Sequence, residues 1–315
     1  MKRIRLNNLN SITFKEGLEE YLLGCKARNL REGTLKHYRE SIKTLLKFIP
    51  ADTKIATFDK NTLPNFIVKC KTELDINSVT LHTYARDLKT FMYYFMRSDY
   101  MESFKLQLPK VDKKNIETYT DEELKVLLKK PDIKKCSFVT YRSWVVINFI
   151  LSTGARVNSL INIKVKDIDF NNEVVYINTT KNRRPLIIPM NTTIIQILRE
   201  YLRLRKPESD NDYLFCNVYG NKLTKGTLSQ SIQSYHYNKA IVKTGLHRYR
   251  HTFAKKWIVS GGSVVTLQKI LGHSSLTITE GYINLLTEDL KREVDQFNIL
   301  EQFTETRIIL RDKRR

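Results

Sequence analysis

The sequence predicts a mainly α protein in two parts, helical except for one small antiparallel sheet in the second part. Three observations carry this reading. Apolar residues recur at three- and four-residue spacing along most of the chain. A polar stretch with Pro109 and no periodicity, KLQLPKVDKKNIET at 105–118, interrupts that pattern and reads as a linker. Two β-rich runs, Val174–Thr179 and Leu186–Pro189, flank a polar turn of five residues and read as one hairpin. A length of 315 residues agrees with two domains.

The elements follow in order. Thr13 and Glu16 form a capping box ahead of Phe14, Leu18, Tyr21 and Leu22. A helix over Thr34–Ile49 turns Leu35, Tyr38, Ile42, Leu45, Leu46 and Ile49 inward, with Lys36, Arg39, Lys43 and Lys47 on the opposite face. A helix over Ser78–Met96 has the stripe Leu81, Tyr84, Leu88, Phe91, Met92 and Phe95, with His82, Arg86 and Lys89 beside it. Such basic faces suit the phosphates flanking a major groove and equally suit bulk water, so these helices alone leave DNA contact open. After the linker, Thr120 and Glu123 make a second capping box. An apolar helix spans Trp144–Leu151 and stops at Gly154, and helical periodicity returns from Leu228.

Charge narrows the function. Lys and Arg number 54 against 33 Asp and Glu, a net +21. The excess is shared, with 22 basic and 13 acidic residues in 1–115 and the remaining 32 and 20 in 116–315. A polyanion touching both parts is the simplest partner, nucleic acid ahead of a membrane surface. No apolar run approaches the ~18–20 residues of a membrane span, and the start MKRIRLNNLN lacks the apolar core of a signal peptide. Cys25, Cys70, Cys136 and Cys216 are scattered, as expected of reduced thiols in a cytoplasmic protein.

Four segments hold polar residues that amphipathic packing does not explain: TGAR with Arg156, the hairpin turn with Lys181 and Arg183, HRYRH at 247–251, and LGHSSLTITEGY with His273 and Tyr282. His247 and His251 sit one helical turn apart, the spacing of a zinc pair. No Glu follows His247 and no Cys is near, so no metal is expected.

In order and spacing these segments resemble the tyrosine recombinase/integrase family of phage integrases and Xer-type recombinases. The matching parts are Arg156, Lys181, His247-Arg248-Tyr249-Arg250, Leu271-Gly272-His273 and Tyr282, nine residues after His273. The resemblance implies a helical core-binding domain over 1–108, a linker over 109–118, a catalytic domain over 119–285, and a C-terminal helix and tail over 286–315 that docks on a neighbouring protomer. Together the domains would form a C-shaped DNA clamp. It implies Arg156, Lys181, His247, Arg250, His273 and the nucleophile Tyr282 as catalytic residues. Lys36, Arg39, Lys43, His82, Arg86, Lys89, Arg183 and Arg248 are the candidate DNA contacts.

The implied activity is site-specific recombination through a 3′-phosphotyrosyl intermediate, with no metal, cofactor or ATP. Its partner would be double-stranded DNA carrying recombination sites, bound by a homotetramer on two sites, with accessory bending or directionality factors and no membrane. The setting would be the cytoplasmic nucleoid of a prokaryote, phage or mobile element. A relaxing type IB topoisomerase activity and a non-catalytic DNA-binding regulator are the alternatives. One departure stands out: the family usually has an acidic residue three positions after the first arginine, and here that position is Ser159.

Overall fold

Backbone contacts divide the computed structural model into two compact units, residues 1–114 and 115–315. It describes residues 12–111, 117–180, 185–273, 275, 279 and 282.

The first unit packs four helices: α1 (Phe14–Ala27), α2 (Glu32–Leu45), α3 (Thr62–Glu73) and α4 (Ser78–Arg97). The Thr13 box closes as its residue types dictate. The Glu16 amide donates to the Thr13 hydroxyl at 3.3 Å, and the Thr13 amide donates to the Glu16 carboxylate at 2.7 Å. α2 starts two residues before the expected Thr34 and stops at Leu45, because residues 46–49 form turns. On α4 the residues Leu81, Ala85, Leu88, Phe91, Met92, Phe95 and Met96 are buried. Opposite them lie Phe14, Leu18, Tyr21 and Cys25 of α1, in one core. Edge-to-face contacts of Tyr21 with Phe91, Tyr38 and Tyr94, at 5.0–5.2 Å between centroids, add directional packing there. Glu20 accepts from the Tyr94 and Tyr100 hydroxyls and ties the end of this unit to α1.

The second unit runs α5 (Asp121–Leu128), α6 (Phe138–Thr153), α7 (Val157–Leu160), β1 (Ile168–Asp169), β2 (Val174–Ile177), β3 (Leu186–Pro189), α8 (Thr192–Arg205), α9 (Lys225–Tyr237), α10 (Leu246–Val259) and α11 (Val264–Leu271). The three strands are antiparallel in the order β1-β2-β3, with Val175 opposite Ile188 and Ile177 opposite Leu186. Val175, Ile177 and Ile188 face the core, and Ile187 points outward, 57% exposed. α6 is buried on nearly every side and packs against α5, α8, α9 and α10. Its one buried cation, Arg142, donates to the Cys216 carbonyl at 2.6 Å and to the Ser231 hydroxyl at 2.9 Å. Those bonds replace part of the hydration that burial removes.

A smaller cluster of Phe253, Ala254, Ile258, Leu267 and Leu271 joins α10 to α11 and receives the Tyr282 ring. No helix among the described residues is long and apolar enough to cross a membrane.

Candidate active site

The site is built where three chain turns meet. α6 ends at Gly154, whose φ of +63° is the left-handed conformation that glycine adopts without Cβ cost. A Cβ there would sit 2.7 Å from both Leu271 Cδ2 and Phe253 Cδ1, so conformation and space both demand glycine. Two residues on, Arg156 begins α7. α11 ends at Leu271 and Gly272, whose carbonyls have lost their helical partners and turn toward the arginines.

Arg156 donates from Nη1 to the Leu271 carbonyl at 2.9 Å and from Nη2 to the Gly272 carbonyl at 3.4 Å. Arg250, on α10, donates from Nη2 to the same Leu271 carbonyl at 2.8 Å and from Nη1 to the Gly154 carbonyl at 2.5 Å. Two guanidiniums therefore share one helix-end oxygen, and among the described residues neither is paired with a carboxylate. The negative end of the α11 dipole offsets part of their repulsion. Burial presses both arginines below their ordinary pKa, and Arg156 adds to the effect on Arg250. Both remain cationic near neutrality.

His273 lies against this pair. Arg250 Nη2 is 2.9 Å from its Nε2, and its Nδ1 is 2.8 Å from the buried Thr279 hydroxyl. Burial, then Arg250 and Arg156, bring its pKa down to about 4, so the imidazole is neutral at pH 7. In that state Nε2 accepts from Arg250 and Nδ1–H donates to Thr279.

Tyr282 is 3% exposed, and its hydroxyl is 2.8 Å from His251 Nδ1. Burial raises the phenol's pKa, while Arg250 and Arg156 oppose the rise. In the sequence His251 belongs to the HRYRH segment, and the family resemblance implies no role for it. The available signal was the one-turn spacing from His247, which puts both imidazoles on one face of α10 with centroids 6.5 Å apart. His247 keeps an exposed surface, yet partial desolvation of its ring, then the nearby Arg250, Arg156 and Lys225, lowers its pKa.

Ser159, in place of the expected acid, is buried and donates to the Thr179 carbonyl at 2.8 Å. It ties α7 to the segment leaving β2, just ahead of the hairpin turn. Lys181 and Arg183 lie outside the described residues, as does the C-terminal segment 286–315.

The other candidate contacts divide by environment. Lys36 is exposed on α2, while Arg39 pairs with Glu32 at 2.6 Å and Lys43 with Glu40 at 3.0 Å. On α4 His82 is half-buried, and Arg86 is exposed with a nitrogen 3.8 Å from Asp87. Lys89 donates to the Leu106 carbonyl at 2.7 Å and covers the Tyr93 ring. Arg248 pairs with Glu117 at 2.5 Å and stacks on Tyr119, so its charge already has a partner within the chain.

Known proteins resemble this chain in sequence and in fold. The phage integrase family matches residues 117–289. The tyrosine recombinase XerA of Pyrococcus furiosus is 30% identical over 203 residues, covering 64% of this chain and 68% of that protein. XerD of Staphylococcus haemolyticus is 28% identical over 294 residues, covering 89% of this chain and 98% of that protein. Among solved structures, the Tn1549 transposon integrase with a circular intermediate DNA is similar with a TM-score of 0.72 at 20% identity, covering 89% of this chain and 99% of that one. A λ integrase dimer bound to a COC′ core site gives 0.68 at 16% identity, covering 86% and 95%. At those identities the structural likeness concerns the fold.

Proposed function

This chain belongs to the phage integrase family and is a site-specific DNA recombinase of the tyrosine class, and from that premise we propose that it cuts each strand by attack of Tyr282 on a phosphodiester, leaving a 3′-phosphotyrosyl link. The observation that carries the proposal is the pair of guanidiniums of half-buried Arg156 and buried Arg250, among the described residues unpaired with any carboxylate, beside a tyrosine hydroxyl. Attack gathers negative charge on the non-bridging oxygens as phosphorus becomes five-coordinate. Paired guanidiniums are suited to that charge, and they are oriented before substrate arrives.

Tyrosine ionises poorly at neutral pH: a pKa of ~10 leaves only about 0.1% phenolate at pH 7, equivalent to roughly 4 kcal/mol. Burial of Tyr282 makes this harder, so its proton must pass to a neutral imidazole. The sequence motif designates His247 for that role. His273 would donate to the phosphate. Since its Nε2 now accepts from Arg250, that donation needs the other tautomer, and the Thr279 hydroxyl can support it by donating to Nδ1 in turn. Lys181 would protonate the leaving 5′ oxygen. The phosphotyrosine keeps the energy of the broken bond, so a 5′-hydroxyl from another strand can attack it without ATP.

The first unit would be the core-binding domain, gripping duplex DNA through Lys36, Arg39, Lys43, His82 and Arg86, with Arg183 adding a contact from the second, and Arg248 only on exchanging Glu117 for a phosphate. Four protomers would hold two sites, helped by accessory factors and by docking of residues 286–315 on a neighbour. This work would take place on DNA of the nucleoid.

Covalent capture tests the reading. A library of nicked duplexes with randomised cores, incubated with the protein and then denatured, should yield protein-bound strands enriched in one sequence, with the protein on the 3′ side of the break. Absence of adducts, or attachment to 5′ ends, would contradict it.

A further inference from the structure

We propose that His251, rather than His247, is the residue that takes the proton from Tyr282 and returns it during rejoining. The inference rests on the recombinase reading above and deepens it.

The two histidines of α10 occupy different surroundings. His247 is exposed, near both guanidiniums, which suits an imidazole that meets the incoming phosphate. His251 lies one turn deeper, half-buried, with Nδ1 2.8 Å from the Tyr282 hydroxyl. A general base must lie within hydrogen-bond reach of the proton it abstracts, and His251 already does. Among the described residues, no carboxylate faces it to compete for this role. The groups that face it are His247, Arg248 and Arg250 from its own helix, with Tyr282 across from it. Burial and those neighbours lower the pKa of His251, keeping it neutral and free to accept. A protonated His251 would have no lone pair on Nδ1 for the hydroxyl.

The step balances. The Tyr282 O–H bond breaks, its proton moves to His251 Nδ1, and the phenolic oxygen forms the bond to phosphorus. The bond from phosphorus to the 5′ oxygen breaks, and that oxygen takes the proton of Lys181. Rejoining runs the same path backwards, the His251 imidazolium reprotonating Tyr282 as the phosphotyrosyl bond breaks.

The test uses the full chain and the nicked duplex recovered by covalent capture. Two substitutions separate acceptance of a hydrogen bond from acceptance of a proton. In His251→Asn the amide oxygen stands near the former Nδ1 and can accept the bond but not the proton; in His251→Phe neither is possible. Both should bind DNA normally and cleave on the order of 10²-fold more slowly at pH 7, the usual size of a general-base contribution. In both, cleavage should climb about tenfold per pH unit as phenolate becomes more abundant, whereas the wild-type rate levels off near neutrality.

A substrate with sulfur in place of the bridging 5′ oxygen leaves without protonation. It should rescue Lys181→Ala but neither His251 variant. In the free protein, the ¹⁵N shift of His251 Nδ1 should move in Tyr282→Phe, a readout independent of DNA. Cleavage by His251→Asn within a few-fold of wild type would overturn the assignment. So would a pH-rescued defect found in His247→Asn and not in the His251 variants. A wild type that forms no adduct, with the nitrogen shift still responding to Tyr282→Phe, would instead locate the failure in the recombinase reading.

Discussion

Tyr249 and Tyr282 both carry a buried hydroxyl in the second unit, and their partners give them different prospects. Tyr249 is fully buried, its hydroxyl bonded to His236 Nε2 and its ring 4.5 Å from that of Tyr119. Desolvation drives its pKa far up, and no phosphate can reach it. Tyr249→Phe should therefore leave adduct formation unchanged while costing about 1 kcal/mol in urea unfolding, because His236 loses its partner. The depressed histidines also make a pH prediction. Their folded pKa values lie below the unfolded value near 6.5, so the unfolded chain binds more protons at mildly acid pH. Stability should be full above that value and fall as pH drops from about 6.5 toward about 4, the folded pKa of His273. Thermal melts across that window should show the loss, and His273→Gln should make it shallower; an unchanged slope would contradict the assignment. At this scale the motif order singles out Arg156, Arg250, His273 and Tyr282, and the structure brings those four together. Linear spacing does not reveal which of two imidazoles on one helix face meets a tyrosine 31 residues further on, so His251 became visible only in three dimensions.

Among the elements, the turn from α6 into α7 bears most of the geometry, because Gly154 lets the chain reverse and offers its carbonyl to Arg250. Gly154→Ala would force a left-handed alanine, costing roughly 1–2 kcal/mol, and overpack against Leu271 and Phe253, typically another 1–3 kcal/mol. Urea unfolding should show a loss of about 2–5 kcal/mol, and cleavage should slow more than DNA binding weakens, since the arginines lose their frame. Unaltered cleavage would mean that the turn does not orient them. Helices with a wide stripe and a clear cap, such as α1, α4 and α5, were readable from sequence. α3 was not, because Leu63, Phe66 and Cys70 make a narrow stripe with Pro64 in its first turn. α8 follows β3 after only two residues, and Ile194 and Ile195 continue the isoleucine-rich run of the strand, which blurs the change of period. β1 spans two residues and has no period to detect.

For the molecule as a whole, the charge of +21 is shared by two units with separate cores. If both touch phosphates, log K for DNA should fall with log[salt] at about −0.9 per phosphate neutralised, with a slope equivalent to at least about six phosphates. Residues 119–315 alone should give a smaller slope; equal slopes would remove the first unit from the interface. Cleavage by this route leaves the Tyr282 oxygen bonded to DNA. Digesting the captured adduct, locating the nucleotide-bearing peptide by mass spectrometry, and repeating the capture with Tyr282→Phe decide whether it does. That change removes one oxygen and keeps the ring in its cluster with Phe253 and Leu271, so folding and DNA affinity should hold. The nucleotide should be found on Tyr282 in the wild type, and the variant should give no adduct. An adduct that persists in Tyr282→Phe, or a nucleotide found on another residue, would contradict it.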